Sequence, residues 1–383
     1  MDAAFTRMAR ALEQRKGKLG LNGAPFALRL RDQTPITFGD GEPAFTVVVN
    51  DRRGLAALAS LDTTAAGEAY LDGALDVEGD LSKLLALRDL FRDRHPLRYA
   101  YRFVRPLLFG QVASDKKWIA HHYDEDPDFY LLFLDRRHRA YSQGIFTRDD
   151  EPLEDALTRK LDFAFDAVGA REGWRVLDIG GGWGAFTEYG GKRGLRVTSL
   201  TISKQSEQFI TDLIARERLP CEVRREHFFE HRPEQPYDAI VNLGVTEHLP
   251  DYAGTLARYH AFLKPGGRIY LDASAARVKH DTTAFFERHI YQGNGSQLCL
   301  HEYVAAQSRT PLELETVIND RHNYTLTAKG WAENLDRHRE EVERRWGRAQ
   351  YRRFQLYLWG CVDGFARDVL QAYRLVLSKP SRA

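Results

Sequence analysis

The sequence predicts a doubly wound α/β domain preceded by a smaller α+β domain, and three observations carry that expectation. From about residue 155, strand-length apolar runs alternate with helix-length amphipathic ones, the pattern of a parallel sheet. The first of those runs, WRVLDIG, leads directly into a glycine turn. The first 90 residues instead show short alternating strands broken by Pro35, Gly39 and Gly41, followed by helical pieces.

A chain of 383 residues suits two domains. Hydrophobic residues at 43% and charged residues at 28% are ordinary for packed cores. No run approaches the roughly 18–20 apolar residues of a membrane span, and the charged opening MDAAFTRMARALEQRKGK does not read as a secretion signal. Cys221, Cys299 and Cys361 are far apart and lack metal-type spacing, so free thiols in a reducing cytoplasm are expected. A net charge of +1 supplies no field that would gather nucleic acid.

In chain order, a helix to about Leu19 precedes the strands ALRLRDQ, PITFGDG and FTVVVND. Helices around GLAALASL and SKLLALRDLF then close an accessory domain over residues 1–90. Residues 91–120 form a basic aromatic linker. Arg92 to Lys117 contains five arginines and two lysines against Asp93 and Asp115, interleaved with Tyr99, Tyr101, Phe103, Leu107, Leu108 and Phe109. Such a mixture suits a phospholipid headgroup layer, and equally a solvated linker helix with one buried face. The α/β domain occupies 121–383, with strands WRVLDIG, RVTSLTIS, CEVRREH, YDAIVNLG and RIYLDAS. An insertion at about 275–345 would cover the carboxyl ends of those strands, hinged at Gly293-Asn294-Gly295.

Asp178-Ile179-Gly180-Gly181-Gly182-Trp183-Gly184 follows the first strand of this domain. Its glycines let the backbone turn sharply and approach a ligand, with a helix N-terminus behind. A dinucleotide fold would want a ribose-binding acid about 20 residues on. The second strand ends instead in Thr201-Ile202-Ser203, with no carboxylate. An acid two residues before the glycines and none at the second strand point to S-adenosylmethionine and a class I methyltransferase fold. That ligand carries an electrophilic methyl, so the protein must chiefly position, desolvate and handle a proton.

Taken together, the motifs resemble the cyclopropane fatty acid synthase family of S-adenosylmethionine-dependent methyltransferases. His121-His122-Tyr123-Asp124 resembles its HHYD signature, Tyr141-Ser142 its YS pair at the cofactor's amino acid end, and VLDIGGGWGAF its glycine loop, with Gly181 in place of the usual cysteine. Leu200-Thr201-Ile202-Ser203 matches its TIS segment, Glu247-His248 its FEH motif, and Glu226-His227 falls where the family contacts adenine. GEAYLDGALDVEGDL resembles the accessory domain of full-length synthases. The resemblance implies that Tyr141, Ser142, Asp178, Gly180, Gly182, Trp183, Gly184, Thr201, Ser203, Glu226, His227 and Glu247 hold the cofactor. It also implies methyl transfer to a double bond of a phospholipid acyl chain, at the inner membrane face, by a peripheral cytoplasmic enzyme. A homodimer is left open.

The family's proposed base is a bicarbonate held by a cysteine, a glutamate, a histidine and a tyrosine. Only the glutamate is retained, as Glu247; the other positions fall at Gln143, Asp272 and Ala332. Carboxylates where an anion should sit would expel it, so bicarbonate is not expected; Glu247 or Asp272 becomes the candidate base, or the cation loses its proton elsewhere. Cyclopropane, methylene and methyl-branched products stay open, as do N-methylation of a small amine and a non-catalytic lipid- or cofactor-binding role. Asp272 pairing with Arg268 or Arg277 is its structural alternative. In the insertion, Tyr303 and His289 are kept as site candidates, while Tyr291, His301 and Trp331 read as core. His121 and His122 read as packing, with no metal expected.

Overall fold

The computed structural model describes residues 2–19, 24–92, 126–280, 282–291 and 295–381. The basic aromatic linker from residue 93 onward and His121–Asp124 lie outside them, as do Gly293 and Asn294 of the expected hinge. The chain forms two compact units.

The first unit takes the described residues up to 92 together with Thr282–Ile290 and Leu335–Asp363. Strands β1 (Phe26–Leu30), β2 (Ile36–Phe38), β3 (Phe45–Val49) and β4 (Leu75–Gly79) form a sheet in the order β2-β1-β3-β4. β1 and β3 pair in parallel, and the two outer pairings are antiparallel. Three helices start on aspartates whose carboxylates accept the first free backbone N–H groups: Asp51, Asp62 and Asp80. Phe26 stacks on Phe38 and Phe45 at 4.8 and 5.4 Å, which anchors the core under the sheet. Arg352, 2% exposed, donates to the Tyr70 and Leu75 carbonyls and pairs with Asp76 at 2.7 Å. Residues 335–363, expected in the methyltransferase domain, thus pack within this unit.

The second unit is built on seven strands: β5 (Arg175–Ile179), β6 (Arg196–Thr201), β7 (Glu222–Arg225), β8 (Tyr237–Leu243), β9 (Leu263–Ala275), β10 (Glu313–Asn319) and β11 (Gln371–Ser378). Their order is β10-β11-β9-β8-β5-β6-β7. β5 to β9 are parallel, whereas β11 pairs antiparallel with β9, and β10 with β11. The sheet is therefore mixed, not wholly parallel. β10 was invisible because only Leu314 and Ile318 escape full exposure in ELETVIN, so it lacks the apolar run of a buried strand. The chain runs outward from β5 to β7 and returns at β8, so the strand order reverses between β5 and β8. A crevice opens at that switch point, outside the carboxyl ends.

Candidate active site

The turn leaving β5 enters this crevice. Gly180, Gly182 and Gly184 adopt φ of +76°, +51° and +75°, which side chains on L residues disfavour. The Gly181 N–H donates to the Leu200 carbonyl at 2.8 Å, fastening the turn to β6. A Cβ on Gly180 would lie 2.3 Å from Val245, whereas beside Gly182 nothing comes nearer than 3.9 Å. The backbone is thus open to a ligand at Gly182. Gly184 faces away, where a Cβ would strike Leu213 at 2.6 Å.

Gly181 and Ser199 form a matched pair. A Cβ at 181 would stand 2.0 Å from the Ser199 hydroxyl oxygen. That hydroxyl donates to Asp178 at 3.0 Å, joined by Thr187 at 3.3 Å. Burial pushes the Asp178 carboxyl up to about 6, and the two hydroxyl donors oppose the rise. Gly181→Ala should therefore cost about 1–3 kcal/mol by overpacking, with Ser199→Ala in the same chain recovering part of it; urea denaturation reads both.

A cleft of about 1050 Å³, counted to its open mouth, runs along this turn. Tyr141, Ser142, Asp178, Gly180, Gly182, Trp183, Thr201, Ser203, Glu226 and His227, all singled out from sequence, line it. Tyr141 packs its ring 5.1 Å from Trp331 and 5.7 Å from Tyr130, and Tyr130 meets Trp183. Ser203 caps the helix Lys204–Glu217, accepting from Ser206 N–H. Glu226 is fixed from behind: His231, fully buried, bridges its carboxylate at 2.6 Å and the Tyr237 hydroxyl at 2.9 Å. These residues fit an extended ligand with an amino acid at one end and a nucleoside at the other. Glycine backbone forms the middle, with hydroxyls at the Tyr141–Ser142 end and Glu226–His227 for a base.

A residue missed from sequence, Lys160, also lines the cleft. It projects from the helix Leu153–Ala167 on the face that buries Ala156, Leu157, Leu161 and Ala164. A lysine within that apolar stripe was the available signal. Its ammonium, 1% exposed, donates to Ser142 Oγ and pairs with Asp272 at 3.3 Å. Asp272 therefore answers to Lys160, not to Arg268 or Arg277, which pair with Glu315 and Asp368. Burial still holds Asp272 above the usual carboxylate range, with Lys160 opposing. Its Oδ2 also accepts from Tyr270 at 3.4 Å, while Oδ1 is buried without a partner.

Glu247 stands on the turn Thr246–His248 after β8, between the cleft-lining Val245 and His248, and does not itself line the cleft. Its Oε1 accepts from Ser274 N–H at 2.6 Å and Ser274 Oγ at 2.8 Å; Oε2 is buried with no hydrogen bond. Burial lifts this carboxyl to about 7, Asp272 adding to the rise. Gln143 reaches the Tyr373 carbonyl at 3.5 Å and leaves its Oε1 buried without a partner.

Gly184, Gln143, Asp272 and Glu247 sit behind the lining of the cleft, and Tyr303 and His289 are not part of that lining either. Tyr303 is 0% exposed in the core beside Tyr252, at 5.2 Å, and does not line the cleft. His289 belongs to the first unit, where its Nε2 is 3.1 Å from Glu68. Cys299, His301 and Glu302 bring three ligand-type atoms within 4.8 Å, a cluster that wide cysteine spacing did not suggest. Lys279 already sets an ammonium 3.4 Å from Glu302.

The strand order and the glycine turn at its reversal define a class I methyltransferase fold. The chain belongs to the mycolic acid cyclopropane synthetase family, whose model matches residues 111–375; residues 20–93 match a domain of unknown function. A sphingolipid C9-methyltransferase of Emericella nidulans is 25% identical over 82% of this chain and 64% of its own length. The chain thus spans less than two-thirds of that fungal protein. A probable fatty acid methyltransferase of Pseudomonas putida is 24% identical over 93% of this chain and 92% of its own. Among solved structures, the cyclopropane synthase MmaA2 of Mycobacterium tuberculosis is similar with a TM-score of 0.64 and 26% identity. That likeness covers 69% of this chain and 98% of that one.

Proposed function

We propose that the protein methylates carbon at a double bond of an unsaturated fatty acyl phospholipid, using S-adenosylmethionine. The observation carrying this reading is a cleft that runs from the open glycine turn to Val245 and His248, the neighbours of a half-buried glutamate whose Oε2 is buried without a partner. When bound, S-adenosylmethionine supplies a methyl electrophile on a sulfonium. Tyr141 and Ser142 would hold its amino acid end, Gly180 and Gly182 its middle, and Glu226 with His227 its base. Lys160 fixes Ser142 and balances Asp272. Methylating one alkene carbon leaves a cation at its neighbour, which must lose a proton. Glu247 Oε2 is the acceptor we assign, giving a ring if the proton leaves the new methyl and a branched alkene if it leaves the chain. Because Lys160 already neutralises Asp272 and Glu247 offers its own oxygen, no bicarbonate is needed. Family membership and the fatty acid and sphingolipid methyltransferase relatives support a lipid acceptor. No helix among the described residues is long and apolar enough to cross a membrane, so access from the membrane surface fits this reading.

The test incubates the purified protein with methyl-labelled S-adenosylmethionine and vesicles of cis-unsaturated phospholipid, beside a ceramide and a panel of small amines. The expected result is label in the phospholipid acyl chain, with one methylene gained in mass and no dependence on added bicarbonate. Label in the amines or the ceramide alone would overturn the assignment of substrate.

A further inference from the structure

Behind the cleft, the buried carboxylates of Asp272 and Asp320 and the half-buried Glu247, whose Oε2 is itself buried, face two cations. Asp272 pairs with Lys160 at 3.3 Å, and Asp320, 1% exposed, pairs with Arg374 at 3.4 Å. Among the described residues Glu247 pairs with no cation: two donors from Ser274 satisfy Oε1, and Oε2 has none. Among the described residues, the groups that act on it offer no further positive charge. From β9 it meets Ser274 and the field of Asp272, and from its own turn its backbone N–H and His248, which is engaged with Tyr291 at 2.9 Å. From the helix Tyr252–Phe262 it meets the Tyr252 phenol, over whose ring lies Lys279, itself paired with Glu302. Ser296 N–H takes only its backbone carbonyl. Beyond Asp272 lie Ser142, Tyr270 and Lys160; beyond Asp320 lie Gln143, Asn323 and Arg374. An ionised carboxylate in this setting is costly unless a proton or a cation accompanies it.

We propose that Glu247 holds a proton in the ligand-free protein and surrenders it when a sulfonium cation enters the cleft, so that the cluster selects S-adenosylmethionine over its neutral demethylated product. This rests on the cofactor reading above. Interaction with a cation in a low-dielectric site stabilises the ionised carboxylate, and the same coupling must make cation binding release a proton. After methyl transfer the positive charge has left the sulfur, and that preference goes with it. The carboxyl range of about 7 places the exchange near neutrality. Asp178, held up to about 6, titrates nearby, but it faces what the two ligands share, so its effect cancels in their ratio.

Calorimetry of the full chain with S-adenosylmethionine and S-adenosylhomocysteine, between about pH 5.5 and 7 in two buffers of different ionisation enthalpy, tests this. The range stops below the ligand's own α-amino titration. The affinity ratio in favour of the sulfonium should rise with pH by up to about tenfold per unit, with extra proton release for that ligand alone. Glu247→Gln should flatten the ratio. Equal proton release for both ligands in the unaltered protein, or a pH-dependent ratio retained in Glu247→Gln, would overturn the proposal. If neither ligand binds, the cofactor reading falls and takes this inference with it.

Discussion

Lys160→Met is expected to lower stability by about 3–5 kcal/mol, the largest loss of any single side chain at this site. Methionine keeps an apolar stem on the buried face of its helix but removes the ammonium, leaving Asp272 buried with the Tyr270 hydroxyl and Ser142 nearby. Adding Asp272→Asn should recover most of the loss, because the double variant carries no unmatched charge. The pH dependence has a definite sign. Asp272 already sits above the usual carboxylate range when folded, so ionising it disfavours the fold, and that penalty appears as pH rises through its folded value. The deficit of Lys160→Met should therefore be largest at alkaline pH and shrink toward acid. Urea midpoints across pH measure it; a deficit that grows toward acid would refute the pairing.

Glu247→Gln should lower kcat by about 10²–10⁴, the range for removing a positioned general base, while S-adenosylhomocysteine affinity stays within about twofold. Glutamine keeps the shape and can still accept from Ser274, so Oε1 contacts survive while the proton acceptor is lost. As a base the carboxylate must be ionised, and burial holds its titration at about 7. In the unaltered protein kcat/KM should then rise with pH and level off above about 7, and the variant should lack that limb. Retention of both rate and profile would move proton transfer to another group.

Much of this site was legible because its signals are local. Asp178 and the three glycines lie within seven residues, and the strand before them has to be buried for the turn to face the crevice. What was not legible depends on partners distant in sequence. Lys160 meets Asp272 across 112 positions, and nothing in either segment names the other. The replacement of the usual cysteine by Gly181 acquires its meaning only from Ser199, whose hydroxyl takes the space and serves Asp178. β4 was hidden inside LDVEG, whose apolar-polar alternation runs for only four residues before Gly79, too short to signal a strand until β3 pairs with it. His289 looked like part of a cover over the site because it follows β9 in sequence, yet its segment packs within the first unit.

Everything proposed here depends on a methyl-donor nucleoside lying along the backbone at Gly182. A crystal structure of the protein with S-adenosylhomocysteine tests that most directly. The expected map shows the amino acid end beside Tyr141 and Ser142, the sulfur on the side of the cleft lined by Val245 and His248, and the base between Glu226 and His227. Density elsewhere on the protein, or none at saturating ligand, would contradict it.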